Sequence, residues 1–162
     1  MVLCLVSILQ TAPLPNAVSN LTELYRLIKL FEGCRLIPYI CPAGVWTCGW
    51  GTTGVGVIPG QAWSQEYADK RMEMDAVKFA RSTVALCPSL ATDSNKLSSI
   101  ADFAYNCGEG ALAASTLRRK INEGNLKEVP AQLRRWVNGG GKVLPGLVRR
   151  REAEILVFLR TS

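Results

Sequence analysis

The stretch FEGCRLIPYICPAGVWTCGWGTTG, residues 31–54, is where the chain changes character. On its N-terminal side Leu21, Leu24, Leu27, Ile28 and Phe31 recur at helical spacing. Asn20, with Glu23 three residues on, has the form of a capping box. A first helix is therefore predicted to run to Phe31 or Glu32, with Gly33 as its stop. Inside the stretch, prolines, glycines and β-branched residues replace that pattern. Pro42-Ala43-Gly44 reads as a turn between two short strand-like runs, so a small antiparallel sheet is expected. After Gly60 the pattern is helical again. Ser64 can cap a long helix reaching about Leu86, and Pro88 ends it. Shorter helices are expected near 93–105, 114–122, 126–137 and 145–159, with Gly108, Gly124 and Gly139-Gly140-Gly141 at the breaks. A helix, a small sheet and then many helices make an α+β arrangement.

With 162 residues, 48% of them hydrophobic, the chain is long enough to bury a core without staples. Residues 1–20 read as an N-terminal extension: apolar in MVLCLVSILQ, then proline-rich around Pro13 and Pro15, then polar. Ten apolar residues fall short of the roughly 20 that span a bilayer, and no basic region precedes them. Neither stable membrane insertion nor a secretory leader is expected. Synthesis in a reducing cytosol follows, with most of Cys4, Cys34, Cys41, Cys48, Cys87 and Cys107 as free thiols.

The 19 basic and 13 acidic residues are unevenly spread: from Ala113 onward there are 11 and 4. Such a cationic half suits an anionic partner, whether a nucleic acid, a membrane surface or a polyanionic wall, and suits a solvated set of helix faces equally. Histidine is absent, which removes Ser-His-Asp triads, Cys-His dyads and histidine-rich metal sites together. No CxxC pair occurs either, so no metal or other cofactor is expected.

Among the carboxylates, Glu32 stands out because it falls where the first helix ends and the sheet begins. The negative end of the helix dipole and an apolar neighbour such as Phe31 would both favour a neutral carboxyl there. A glycosidase needs a protonated carboxyl to protonate a leaving oxygen. Cys41 and Thr47 follow in a Glu-x8-Cys-x5-Thr spacing, and a hairpin folded back on the helix end could bring all three round one cleft. Read alone, each fits a plainer use: a solvated helix-end Glu, a small buried thiol, an ordinary strand residue.

The 31–54 stretch resembles the active-site segment of phage-type lysozymes, glycoside hydrolase family 24, whose catalytic motif is Glu-x8-Asp/Cys-x5-Thr. Glu32, Cys41 and Thr47 fall on its three positions. DFAYNCGEGALAASTLRRKIN and WVNGGGKVLPGLVRRREAEILVF resemble two later regions of the family, so the likeness covers about 21–159. It implies a lysozyme-like domain over 21–162: a small sheet lobe and a helical lobe joined by a long helix. It also implies a monomeric endolysin that cuts the β-1,4 bond between N-acetylmuramic acid and N-acetylglucosamine in peptidoglycan. Such an enzyme is made in the host cytoplasm and acts on the wall after release, causing lysis. Glu32 would be the proton donor. Cys41 stands where the family more often has an acid, and Thr52 where it often has a histidine. Whether Cys41 assists a water or attacks the sugar itself stays open, because the distance between the reactive groups decides it.

Asn106 resembles a cleft-lining, substrate-binding position, and serves equally as a helix-end cap. Trp46, Trp50 and Trp63 could stack on sugar rings or pack in the core, and Trp136 reads as core. Two rival functions remain. One is a catalytically weak peptidoglycan-binding protein of the same fold, suggested by the cysteine at 41. The other is a nucleic-acid binder, suggested by Arg118-Arg119-Lys120, Arg134-Arg135 and Arg149-Arg150-Arg151. No recognised nucleic-acid motif accompanies those arginines, and no nucleic-acid partner is expected.

Overall fold

The structure is a computed structural model and describes residues 16–160. Cys4, Pro13, Pro15 and the apolar run at the start of the chain lie outside the described residues. Helix α1 (Thr22–Phe31) leads into strand β1 (Arg35–Ile40), which pairs antiparallel with β2 (Trp46–Gly49), itself paired with the short β3 (Thr52–Thr53). The long helix α2 (Gln65–Leu86) follows, then α3 (Ser94–Cys107), α4 (Glu109–Ala114), α5 (Thr116–Asn122) and α6 (Val129–Leu133). A hairpin of β4 (Asn138–Gly139) and β5 (Lys142–Val143) precedes the closing helix α7 (Pro145–Phe158).

Two apolar clusters correspond to the two lobes. The smaller holds the sheet to the start of α2 through Cys48, Val57, Trp63 and Ala68. The larger surrounds α3, whose Leu97, Ile100, Ala101, Phe103 and Ala104 are buried among side chains of α1, α2 and α7. Helix α2 contributes Ala68 to the first cluster and Met72, Ala76 and Ala80 to the second. Its i, i+4 run of small and flexible side chains thus ties the lobes together.

Local chemistry accounts for most boundaries. Ser64 Oγ accepts the backbone N–H of Tyr67 at 3.1 Å, and Asp93 Oδ1 that of Lys96 at 2.9 Å, so α2 and α3 start as capped helices. Gly33, at φ +65°, takes the left-handed conformation that lets the chain leave α1 for the sheet. Two expectations need correction. Asn20 and Glu23 form no reciprocal box: Asn20 Oδ1 meets Thr22 Oγ1 at 3.0 Å, while Glu23 pairs with Arg26 at 2.8 Å and Arg160 at 3.0 Å. Two guanidinium groups are stronger partners for that carboxylate than one backbone N–H. The helix placed at 126–137 is a 3-10 turn, Leu126–Glu128, followed by α6, and ends before Trp136. The glycine run after it is a hairpin turn, with φ +58° at Gly140 and +78° at Gly141. Within the stretch read as an extension, Asn16–Ser19 form a 3-10 turn whose Ala17 and Val18 are buried in the larger cluster. No helix among the described residues is long and apolar enough to cross a membrane.

Candidate active site

Glu32 caps the C-terminal end of α1, its N–H bonded to Ile28 O at 2.9 Å, and its side chain is about one-fifth exposed. It lines a groove of about 960 Å³ together with Leu30, Phe31, Asn106, Leu144 and Val148. One carboxylate oxygen, Oε1, accepts from Arg150 Nη1 at 2.5 Å. The other faces the turn between β2 and β3: a Cβ added at Gly51 would lie 3.1 Å from Glu32 Oε2. Only a glycine lets the sheet lobe approach the carboxylate this closely.

Arg150 was not foreseen as part of the site. It is buried, and its Nε and Nη2 donate to Asp102 Oδ2 and Oδ1 at 2.8 and 2.9 Å, a two-point grip from α3. Burial works against its positive charge, but Asp102 and Glu32 outweigh burial and hold it firmly protonated. The next residue, Arg151, is also buried; it donates to Glu154 Oε1 at 2.6 Å and to Asn106 Oδ1 at 2.9 Å. A signal for this layer existed. Asp102 sits inside the apolar run IADFAY, and Arg150, Arg151 and Glu154 interrupt the apolar spacing of the last helix. Fully buried charges of this kind occur only with partners.

Cys41 and Thr47 belong to the sheet and are not among the residues lining the groove. Cys41 follows β1, and its N–H donates to Val45 O at 3.0 Å across the tip of the hairpin. Thr47 is buried in β2, paired with Tyr39 and Thr53, and its hydroxyl donates to Val45 O at 3.1 Å. Backbone groups of Val45, then the Thr47 hydroxyl and the Ala43 backbone, hold the Cys41 thiol below the ordinary thiol range. The structure therefore pairs Glu32 with Asn106 on the helical side and Cys41 with Thr47 on the sheet side, and Gly51 brings the sheet against Glu32. Tyr105 strengthens that junction by donating to Trp50 O at 2.8 Å.

Other candidates resolve into structural uses. Trp63 is buried and Trp50 Nε1 donates to Asp69 at 2.6 Å, whereas Trp46 is partly exposed opposite Ile40. Trp136 packs edge-on against Phe103 beside the larger cluster. Thr52, at the position discussed for a histidine, is buried and donates to Asp75 Oδ2 at 2.8 Å. Cys34, Cys41, Cys48, Cys87 and Cys107 are free thiols, and among the described residues no cluster of ligands could hold a metal ion.

The family model for phage lysozyme matches residues 29–154. The endolysin of Bacillus phage B103 is 38% identical over 135 residues, 82% of this chain but 51% of that protein. The SAR-endolysin of Bacteriophage PS119 is 37% identical over 125 residues, 76% of this chain and 73% of its own length. Among solved structures, the muramidase domain of SpmX from Asticaccaulis excentricus superposes with a TM-score of 0.78 at 28% identity, over 86% of this chain and 97% of that one. The α+β architecture, the motif segment and these relatives agree: the chain belongs to the phage lysozyme family and is a peptidoglycan-hydrolysing glycoside hydrolase of the endolysin type.

Proposed function

We propose that the protein cuts the β-1,4 bond between N-acetylmuramic acid and N-acetylglucosamine, with Glu32 as general acid. The observation that carries this reading is Glu32 itself: a carboxyl at a helix end, reaching a groove formed by α1, α3 and α7, with one oxygen fixed by Arg150 and the other facing Gly51 of the sheet lobe. A proton held there can pass to the leaving glycosidic oxygen, a step worth on the order of 10² to 10⁴ in rate. On the sheet side, Cys41 assists the incoming water and Thr47 orients it. A thiol held below its ordinary range is thiolate in a larger fraction at neutral pH, and the thiolate accepts a hydrogen bond or a proton from water, which supports the first role. Asn106, held by Arg151, contacts the glycan from the opposite wall of the groove. The chain acts as a monomer on a polyanionic wall, which its cationic C-terminal half favours. It is made in the host cytoplasm and lyses the cell on reaching the wall.

Digestion of purified peptidoglycan tests this. New reducing ends that are N-acetylmuramic acid, absent with Glu32→Gln, are expected. Reducing ends of N-acetylglucosamine, or unchanged cleavage by the variant, would overturn the proposal. A protein that binds walls without releasing any fragment would favour the non-catalytic alternative.

A further inference from the structure

Two adjacent arginines of α7 stand behind the groove, and each hands one N–H forward to a groove residue. Arg150 donates to Glu32 and Arg151 to Asn106. Behind them stand two fully buried carboxyls: Asp102 grips Arg150, and Glu154 grips Arg151 while its Oε1 also lies 3.8 Å from Arg150 Nε. The two halves differ in one respect. Asp102 takes two of the three nitrogens of Arg150 and leaves Nη1 a single direction, toward Glu32. Arg150 has almost no freedom beyond this: its side chain is 4% exposed, and its guanidinium lies 5.7 Å from the Phe31 ring.

We propose that Asp102, one layer behind the groove, is a positioning residue for Glu32. By gripping Arg150 at two points it fixes where the third N–H lies and neutralises much of the charge that Glu32 meets. The inference rests on the assignment of Glu32 as general acid. Without Asp102, more of the positive charge of Arg150 would face a carboxyl that must keep its proton to act, with only Glu154, at 3.8 Å, left behind it. With it, Glu32 receives an oriented hydrogen bond from a guanidinium already balanced from behind. The other charged or titratable groups near Glu32 among the described residues are Arg149 and Glu152 of α7, which line the same groove, Tyr105 on α3, with Asp75 beyond it on α2, and Glu154 and Arg151 on α7 behind Asp102. The β2–β3 turn brings only the uncharged Gly51.

The test is the pH profile of kcat/KM for wall cleavage by Asp102→Asn. The alkaline limb, where the general acid loses its proton, is expected to move about one unit or more toward acid, as for a carboxyl given an uncompensated cation. Activity at neutral pH should then fall roughly tenfold for each unit moved. A role in folding alone would lower the whole curve and leave its limb in place, and that result would overturn the proposal. Asp102→Asn takes the two-point partner from a buried Arg150, so the double variant Asp102→Asn/Arg150→Gln, which removes both members of that pair, keeps the question answerable if the single variant does not fold. In the double variant Glu32 meets no cation, and the limb is expected on the alkaline side of wild type. A limb at or below the wild-type position would overturn the inference. Loss of activity in Glu32→Gln alongside an unmoved limb in these variants removes only the role of Asp102. Retained activity in Glu32→Gln removes the assignment of the acid itself.

Discussion

Gly51→Ala is a small change aimed at the closest approach of the sheet lobe to Glu32. Two costs follow from the structure. The first is backbone strain: Gly51 has φ +89°, a conformation that costs an alanine about 1–2 kcal/mol. In a domain of this size that lowers Tm by roughly 2–8 °C. The second is local. The new Cβ would lie 3.1 Å from Glu32 Oε2 and 3.5 Å from Cδ, so the carboxyl must move while its other oxygen is held by Arg150 at 2.5 Å. Misplacing a reacting group by about 1 Å costs on the order of 10²-fold in rate, so a shift of a few tenths should cost about tenfold. Gly54 separates the two effects, because it has a similar φ, +80°, with nothing within 4 Å of its Cβ position. Turbidity loss of purified walls and thermal unfolding, measured for both variants, should show similar falls in Tm and a tenfold activity loss in Gly51→Ala alone. If Gly51→Ala were as active as Gly54→Ala, the sheet would not be setting the position of Glu32.

Two other substitutions probe the rest of the site. Cys41→Ser should lose on the order of 10²-fold in wall cleavage, because a hydroxyl ionises far less readily, and Cys41→Asp should retain activity. An active Ser variant beside an unfolded Asp variant would make Cys41 a packing residue. Burial, with Asp102 alongside, holds the Glu154 carboxyl well above the usual carboxylate range, so the folded chain keeps that proton to higher pH than the unfolded chain does. Its contribution to stability is therefore complete below about pH 4.3 and is lost as pH rises from there toward the folded value. In Tm measured against pH, Glu154→Gln should lack that loss, and parallel curves for wild type and variant would contradict the assignment.

Much of the fold was legible because its signals are local. Ser64 through its hydroxyl cap, and Gly33 and Pro145 through their backbone conformation, each determine a helix boundary, and the helices they bound were expected within a residue or two. The β4–β5 hairpin was missed because Gly139-Gly140-Gly141 signals only that the chain turns; the pairing of Asn138 with Val143 is visible once both flanks are placed. The site divides the same way. Glu32 is announced by its position between helix and sheet, and Cys41 and Thr47 by spacing within one segment. Arg150 and Asp102 contact each other across 48 positions and Arg150 reaches Glu32 across 118, distances over which no periodicity in the sequence carries information. What the sequence did contain was a trace: charges placed where the apolar face of α3 and α7 should have continued.

The central claim is that a proton held by Glu32 drives cleavage. Lysis of purified walls by Glu32→Gln, beside wild type and with matching circular dichroism and Tm, tests it most directly. The substitution keeps the shape of the side chain and removes the acid, and a rate lower by on the order of 10² to 10⁴ is predicted. A folded Glu32→Gln protein that clears walls at close to the wild-type rate would contradict it.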